Sequence, residues 1–539
     1  MANKEYKFTD ITKHVYAQCK VVIYSWKNPV NVSEASEESL AAAEALEISS
    51  QIQSVTFSKN MGAAAGSFSI QLVNSPNYGT NDWKDIIKRG FWLVIYMSNE
   101  GDLDVATSVR APTTNKSESE RIRCIGYVER VAVTGTTTAN GGIDIGFTVT
   151  GRDFGIVYEE TQIWHNMFQY DKIILDNIAQ TKLNVMGASR VHEVIKIVHD
   201  LFYYPLNLNG QAKVNDKKSL LSIGLQWLLP KEMLIDIGFS MKGLSNGTYW
   251  GALPGVANLI NEGGSIGVTN AGLAVDKPGD YLSGNAWEQL KKISIPQFHE
   301  LFTEITNEGL PRLIFRPIPW GIDKSKYKNN APNITLYKDI KDVVTIPAID
   351  LFNFDMGEDD HARYNSFIAT VSTTLISVES NIGLLLGKDF PKNNFASIKR
   401  HGFRPMHVSV DSIVKNGEQA NGTADQSQLL EFNEILYDYW NNAIFSESGS
   451  VDILGNSEVR LGKVMKFKDD VPYLSTKRYY IEGYQDTFQI DENRGASWTQ
   501  SVSLTRGFEE SDLLSKSNFQ DRDAAFTGPG EFTKSDGES

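Results

Sequence analysis

The sequence has little cysteine and no long apolar run, and these absences exclude two classes of protein. Only Cys19 and Cys124 occur among 539 residues, too few for a disulfide framework, which favours folding in a reducing cytosol. The longest strongly apolar stretch, Gly90 to Met97, is far shorter than the roughly 20 residues of a membrane helix. The charged start MANKEYKFTD lacks the apolar core of a signal peptide. We therefore expect a soluble protein without a membrane span.

Basic residues are also in deficit, which limits what the surface binds. Lysine and arginine number 52 against 66 acidic residues, so the formal net charge is −14. This balance argues against a surface whose main task is to grip nucleic acid. It remains compatible with a negatively lined passage that DNA crosses without binding. The length predicts three or four domains at roughly 150 residues each.

Motifs for catalysis or metal binding are missing or poorly spaced. The sequence has no phosphate loop and no G-x-S-x-G. His192 and His199 are seven residues apart, whereas a zinc helix needs two histidines four apart. The GEDDHAR run, Gly357 to Arg363, offers cation ligands but is better explained as a solvated loop. Tyr158 to Glu160 and His299-Glu300 are more simply polar helix flanks than paired catalytic carboxylates. We expect no enzyme, no cofactor and no metal.

The most informative pattern is a β-unit that occurs twice, about 350 residues apart. Each copy consists of three segments in the same order. The first copy comprises Ser54 to Val73, Arg123 to Val133 and Ile143 to Gly155, and the second comprises Leu351 to Val371, Arg478 to Ile490 and Trp498 to Phe508. Three chains with two such units each supply six similar units around an axis, which suits an adapter between six-fold and three-fold symmetry.

Short identities set the alignment of the two copies. The matched pairs are Met61-Gly62 with Met356-Gly357, Ser67-Phe68 with Ser366-Phe367, and Gly126-Tyr127 with Gly483-Tyr484. An acidic residue lies two places beyond the last pair in each copy, Glu129 and Asp486. The sequence therefore predicts that the strand from Arg123 superposes on the strand from Arg478.

The fold class that we predict is α+β and mainly β, with two similar antiparallel β-barrel or sandwich domains and an inserted mixed domain. The predicted boundaries are 1–160, 161–340 for the insertion, 341–510, and a flexible C-terminal tail at 511–539. Alternating apolar residues predict strands at 15–26, 52–58, 67–73, 91–97, 122–133, 143–150 and 311–319, and a hairpin at 448–467. Helical spacing or composition predicts helices at 33–50, 170–180, 189–203, 285–305 (broken near Pro296) and 429–445.

Several of these segments together resemble the baseplate hub proteins of phage tails. The run RCIGYVERVAV followed by VTGRDFGIVYEETQIWHN resembles their first tube domain. WEQLKKISIPQFHELFTEI and the strand after it resemble the segment that leads into their second tube domain. FNFDMGEDDHARYNSFIATV, HGFRPM, VDILGNSEVRLGKV and YYIEGYQDTF follow in that family's order. The likeness covers roughly 50–165 and 285–508.

The resemblance implies a structural virion protein at the tip of the tail, assembled in the host cytoplasm. In that family, a homotrimer forms a pseudo-hexameric ring that continues the tail tube protein and carries a central spike, and DNA passes through the channel during ejection without specific binding. Other baseplate proteins are further expected partners. Nothing after Gly507 is long enough for a β-helical spike, so we expect the spike to be a separate protein.

Five residues are candidates for roles in such an assembly. Glu129 and Asp486 are expected to face the channel lumen and repel DNA phosphates, although exterior positions are equally compatible with the sequence. Phe519, Phe526 and Phe532 lie in a polar tail at spacings that fit neither a helix stripe nor a strand. Isolated aromatics of this kind suit anchoring into pockets of another chain, and a disordered end with incidental phenylalanines is the alternative.

Two other functions remain open at this level. One is a distal-tail or tail-tip protein of a flexible-tailed phage, with host-glycan binding through the glycine-rich stretch at 206–283. The other is a hydrolase that degrades the cell wall. Binding to a host receptor separates the first from a hub, and a zymogram against peptidoglycan tests the second.

Overall fold

The computed structural model describes the strand-rich parts of the chain. The described residues are 16–27, 42–73, 82–112, 116–137, 143–163, 229–233, 237–240, 284–294, 299–317, 342–358, 364–371, 391–410, 433, 436, 437, 440, 447–468, 470–491 and 495–509. Strands dominate this part, and the mainly-β α+β class is confirmed. The expected barrels are not seen among these residues, because the strands of both repeats lie in one large open sheet. The predicted helices at 170–180 and 189–203, almost all of 206–283 and the three tail phenylalanines lie outside the described residues.

The N-terminal repeat, called unit 1, contains seven strands and two short helices. They are β1 (Gln18–Trp26), β2 (Ala43–Glu47), β3 (Ile52–Asn60), β4 (Ser67–Leu72), α1 (Trp83–Ile86), β5 (Trp92–Ser98), β6 (Ile122–Thr137), β7 (Ile143–Asp153) and α2 (Ile156–Glu160).

Smaller elements lie between the two repeats in sequence. They are β8 (Gln162–Ile163), β9 (Gly238–Ser240), β10 (Gly284–Asn285), α3 (Ala286–Ser294), β11 (His299–Ile305) and β12 (Pro311–Pro317). The β11–β12 hairpin forms a three-stranded sheet with β9.

The C-terminal repeat, called unit 2, contains six strands and carries a small sheet of its own. The six strands are β13 (Val343–Ile346), β14 (Leu351–Glu358), β18 (Glu447–Leu454), β19 (Val464–Phe467), β20 (Lys477–Asp491) and β21 (Gly495–Glu509). The small sheet consists of β15 (Ser366–Val371), β16 (Lys392–Asn393) and β17 (Pro405–Val410), with α4 (Phe395–His401) between β16 and β17.

The two units join edge to edge in a single 13-stranded sheet. Its order is β14-β18-β21-β20-β3-β4-β7-β6-β5-β1-β2, and β19 and β13 branch from β20. Unit 1 contributes the run β3-β4-β7-β6-β5, and unit 2 contributes the run β14-β18-β21-β20-β19. The predicted duplication is therefore confirmed as two runs with the same strand order.

Fine details of the backbone repeat as well. A 3-10 helix immediately precedes β3 (Ser49–Gln51) and β14 (Ala348–Asp350). Each of these strands has a register shift after its first residue. The β6–β7 pair has a bulge between Val128 and Arg130, and the β20–β21 pair has one between Ile481 and Gly483. Such bulges are specific to a fold and mark equivalent positions.

The bulges correct the predicted alignment of the two copies. Val128 corresponds to Ile481, 353 residues later, and the same offset relates Val149 to Val502. Gly126 therefore corresponds to Tyr479, and the Gly-Tyr match of the sequence was four residues out of register. Glu129 corresponds to Glu482, both at the bulge, whereas Asp486 corresponds to Val133.

A second match places the wrong strand in the repeat. Ser366-Phe367 begins β15, which pairs with β16 and β17 outside the large sheet. The strand that occupies the place of β4 is β18, because β18 lies between β14 and β21 as β4 lies between β3 and β7. The chain between β14 and β18 thus carries the small sheet as an insertion.

Three local predictions are also wrong. Residues 43–47, within the segment whose alanine and glutamate content favoured a helix, form β2 on the edge of β1, since pairing with a buried strand overrides helix propensity. The predicted helix at 285–305 ends at Ser294, and β11 follows. The predicted hairpin at 448–467 is absent because β18 pairs with β14 and β21, while β19 pairs with β13 and β20.

Apolar and polar residues alternate along the strands at the centre of the large sheet, such as β3 and β4, so one face of these strands covers a core. By contrast, β1 and β5 are buried on both faces and contact two core clusters. Val55, Ile70, Val149 and Val502 are completely buried in one cluster that spans both units. No helix in the described part of the chain is long and apolar enough to cross a membrane.

Candidate functional surfaces and the junction between the repeats

On β20, β21, β3, β4 and β7, the face of the sheet opposite this core is lined mostly by short uncharged polar side chains. We call it the hydroxyl face. Residues paired across neighbouring strands point to the same side of a sheet, so the registers connect this face across both units. Its members are partly or fully solvent-exposed. They are Ser54, Thr56, Ser58, Ser67, Ser69, Gln71, Thr148, Thr150, Gln485, Thr487, Gln489, Ser497, Thr499 and Ser501.

Three charged residues pair with members of the hydroxyl face, namely Arg152, Arg130 and Asp452. Arg152 pairs with Ser67 across β7 and β4. Its guanidinium donates to Glu129 at 2.6 Å, to Glu159 at 2.5 Å and to Glu160 at 2.6 Å. Burial alone would lower the pKa of Arg152, but the hydrogen bonds that it donates to Glu129 and Glu160 raise it. The arginine stays charged and is surrounded by acids, so it offers little free positive charge to a polyanion.

The two predicted lumen acids have different positions. Glu129 is partly exposed at the bulge, where it accepts from Arg152. Asp486 pairs with Phe57 and Gln500 on the apolar face and is completely buried. The expectation that Asp486 faces a lumen is wrong, because strand alternation points it away from solvent. Sequence reasoning missed the hydroxyl face, although its signal is visible in SFSIQL and WTQSVSLT.

The junction between the units is the antiparallel pair of β20 and β3. Its register runs from Gly483 opposite Asn60 to Gln489 opposite Ser54. On the buried side Phe57 meets the ring of Tyr484 edge-on at 6.0 Å. Main-chain pairing together with buried aromatics makes this a cohesive interface.

Asp486 organises a buried polar cluster under this junction. Its carboxylate accepts from the Nε of Arg123 on β6 at 2.9 Å, from the indole of Trp498 at 3.0 Å and from the amide of Gln500 at 2.7 Å. Arg123 also donates to the carbonyl of Val459 at 2.8 Å and stacks 4.7 Å from the centre of the Tyr484 ring. Burial alone would lower the pKa of Arg123, but the charge of Asp486 reverses the shift. The pair ties unit 1 to unit 2.

The β11–β12 hairpin extends this cluster. Glu300 accepts from Arg316 at 2.8 Å and from the hydroxyl of Tyr480 at 2.6 Å. Glu304 accepts from the backbone N–H of Leu461 at 2.9 Å and from the Tyr484 hydroxyl at 3.2 Å. Tyr480 and Tyr484 of β20 thus both donate to acids of β11, which ties the hairpin to that strand.

Lys463 lies near this cluster and is buried, which is unfavourable for its positive charge. It is 5% exposed. Burial, with the charge of Arg460 as the second cause, lowers the pKa of its ammonium group from 10.5 to about 8. Between those two pH values the unfolded chain holds a proton that the native chain has lost, so stability rises with pH through this window.

We expect Lys463→Met to raise the free energy of unfolding at pH 7 by about 1–3 kcal/mol, because a buried charge is replaced by an apolar chain of similar length. The variant is also expected to lose the rise in stability between pH 8 and 10.5. Urea unfolding at several pH values measures both effects, with exposed Lys399→Met as the control. Parallel stability curves for Lys463→Met and the parent chain would contradict this.

The described residues contain two buried cysteines and no grouped metal ligands. Within them, no group of three or more His, Cys, Asp or Glu side chains is arranged to hold a metal ion. Cys19 and Cys124 are buried, and burial raises the pKa of both thiols. Neither cysteine is therefore available as a thiolate at neutral pH.

No family model and no curated protein matches the sequence. Among solved structures, the chain is similar to a tail protein from Neisseria meningitidis MC58, with a TM-score of 0.42, 10% identity, and coverage of 92% of this chain and 99% of that one. It is similar to the 43 kDa tail protein of prophage MuSo2 from Shewanella oneidensis, with a TM-score of 0.41, 9% identity, and coverage of 90% and 98%. A Francisella PdpA–VgrG complex has a TM-score of 0.39 and 9% identity, with 94% of this chain and 61% of that chain covered.

Proposed function

We propose that the chain is a non-enzymatic structural protein of a phage tail, a hub whose three copies form a ring of six similar units. The observation that carries this proposal is the duplication itself: two units with one strand order, joined edge to edge through β20 and β3. A chain that already joins two units in this way needs only repetition of the same contact to form a ring.

The hydroxyl face is the surface that we assign to the central channel. Affinity for DNA arises mainly from lysine and arginine that neutralise phosphates. The hydroxyl face offers mainly serine, threonine and glutamine instead, and its Arg152 is held by three carboxylates. Its exposed Arg130 is balanced in number by Asp452, which lies on the same face. A neutral, hydrated wall lets a polyanion pass without retention. This differs from the acidic wall that the net charge led us to expect.

The ring would adapt a six-fold tail tube to a three-fold object. Two units of one chain are similar in backbone but different in sequence, so a ring of three chains has six-fold order at the strand level and three-fold order at its side chains. We propose the tail tube protein as the partner on one side and a separate central spike on the other, with other baseplate proteins outside the ring.

Native mass measurement and negative-stain imaging of the purified full chain test this proposal. The expected particle has three times the 60.1 kDa mass of the chain and a central hole with six-fold appearance at low resolution. A chain that stays monomeric at every concentration, alone and with tube protein, would overturn the ring.

A DNA-binding assay on the same particle tests the assignment of the channel wall. Thr150 and Ser503 are equivalent positions of the two units, on strands β7 and β21. The parent ring should not retain duplex DNA at low salt, whereas Thr150→Lys with Ser503→Lys should bind it with steep salt dependence. Equal retention by the parent ring would contradict the assignment.

A further inference from the structure

Two strand edges of the large sheet have no partner strand among the described residues. One is the edge of β14 that faces away from β18. The other belongs to the second half of β6, Arg130 to Thr137. The edge of β6 that faces β5 is paired with β5 only as far as Val128, so this half extends beyond β5. Unpaired edges of this length invite pairing with another chain.

These two edges are the counterparts, in the other unit, of the two edges that form the internal junction. In unit 2, the N-terminal part of β20 pairs with β19 as far as Ile481, and the part from Gly483 onward pairs with β3. Ile481 corresponds to Val128, and β3 corresponds to β14. The second half of β6 in unit 1 is therefore the counterpart of the second half of β20 in unit 2. Likewise, the edge of β14 in unit 2 is the counterpart of the edge of β3 in unit 1.

The correspondence fixes a register. Positions in β6 and β20 differ by 353, and positions in β3 and β14 differ by 299, since Ile52 and Leu351 open equivalent strands with equivalent shifts. Transferring the pairs of β20 and β3 gives an antiparallel ladder. Its members are Val131 with Glu358, Ala132 with Gly357, Val133 with Met356, Thr134 with Asp355, Gly135 with Phe354 and Thr136 with Asn353.

Side chains along the two free edges suit this ladder. Phe354 is 43% exposed and Val133 is 41% exposed, whereas their equivalents Val55 and Asp486 are completely buried at the internal junction. In one pair of positions, the large side chain belongs to a different strand in the two cases. Internally, Phe488 lies opposite Val55, and in the transferred register Gly135 leaves room for the ring of Phe354. The phenylalanine ring therefore comes from β20 at the internal junction and from β14 in the transferred register, and each faces a smaller residue.

We propose that β6 of one copy pairs antiparallel with β14 of a second copy of this chain in this register, with Val133 opposite Met356. The proposal rests on the proposed ring and names the contact that closes it. The contact is head-to-tail, since each copy presents β6 on one side and β14 on the other. It covers both free edges at once.

Disulfide trapping on the purified full chain tests the register. Directly opposed residues bring their Cα atoms within the roughly 4.4–6.8 Å that a disulfide requires. Val133→Cys with Met356→Cys should give disulfide-linked trimers on a non-reducing gel after mild oxidation. The native Cys19 and Cys124 are buried, so we expect them to form no disulfides that would add bands to the gel.

The matched control is Val133→Cys with Phe354→Cys, which moves one cysteine two residues along the same face. That shift of about 6.6 Å along the strand puts the pair beyond disulfide reach, so the control should stay uncrosslinked. A three-copy ring in which both pairs fail, or in which the control links as well as the test pair, would overturn the register and leave the ring intact. A chain that is monomeric by native mass would overturn both.

Discussion

Asp486→Ala is expected to lower the free energy of unfolding by about 3–5 kcal/mol. The substitution removes the partner of a completely buried Arg123 and leaves the indole of Trp498 and the amide of Gln500 without their acceptor. An unpaired buried charge costs far more than the net contribution of the pair that it belonged to. Urea unfolding followed by tryptophan fluorescence measures the loss.

Two further variants make this prediction specific. Glu308→Ala, in the exposed turn between β11 and β12, should change stability by less than about 0.5 kcal/mol. Arg123→Met combined with Asp486→Leu removes both charges, and replacement of a whole buried pair is often close to neutral. The double variant should therefore recover a large part of the loss. A double variant no more stable than Asp486→Ala would show that the two charges are not coupled.

Gly462→Ala is expected to cost about 2–5 kcal/mol, the sum of a left-handed backbone conformation and an overpacked core. Gly462 has a φ of 73°, and a Cβ there would lie 2.2 Å from Nη2 of Arg316 and 2.9 Å from the ring of Phe302. Arg316 is itself held by Glu300 and Tyr480. The added methyl group would push the β11–β12 hairpin away from unit 2.

The internal repeat supplies the control for this prediction. Gly90 precedes β5 as Gly462 precedes β19, and its φ is 88°. A Cβ at Gly90 meets nothing closer than the Tyr127 hydroxyl at 3.6 Å. Gly90→Ala should therefore cost only about 1–2 kcal/mol, the backbone term alone. Thermal or urea unfolding compares the two, and equal losses would show that crowding beneath the hairpin contributes nothing.

The strands and the duplication could be predicted from sequence because both depend on local periodicity. VVIY in β1, SFSIQL in β4 and IDIGFTVT in β7 alternate or concentrate apolar residues in the way that half-buried strands require. The strand at 311–319 was predicted from the same signal and appears as β12. Periodicity reports which residues form a strand and says nothing about which strand lies next to it.

Partners and register could not be predicted for that reason. The Gly-Tyr identity aligned Glu129 with Asp486, yet the bulges place Asp486 at the position of Val133. A one-residue bulge reverses the face of every residue beyond it, and short identities do not reveal it. The same limitation hid the buried cluster, because Arg123 and Asp486 are 363 residues apart.

The bulge at Glu129 and Glu482 has a mechanical consequence. A head-to-tail contact forms a closed ring only if each unit turns the chain of contacts by the right angle, and it otherwise continues as an open helical filament. A bulge increases the local right-handed twist of the strand that contains it. In the proposed ring, the bulge lies where the first half of β6 and of β20 passes into the half that contacts the next unit, so we expect it to contribute to that angle. We therefore expect that changing this bulge would favour an indefinite fibre over a particle of fixed size.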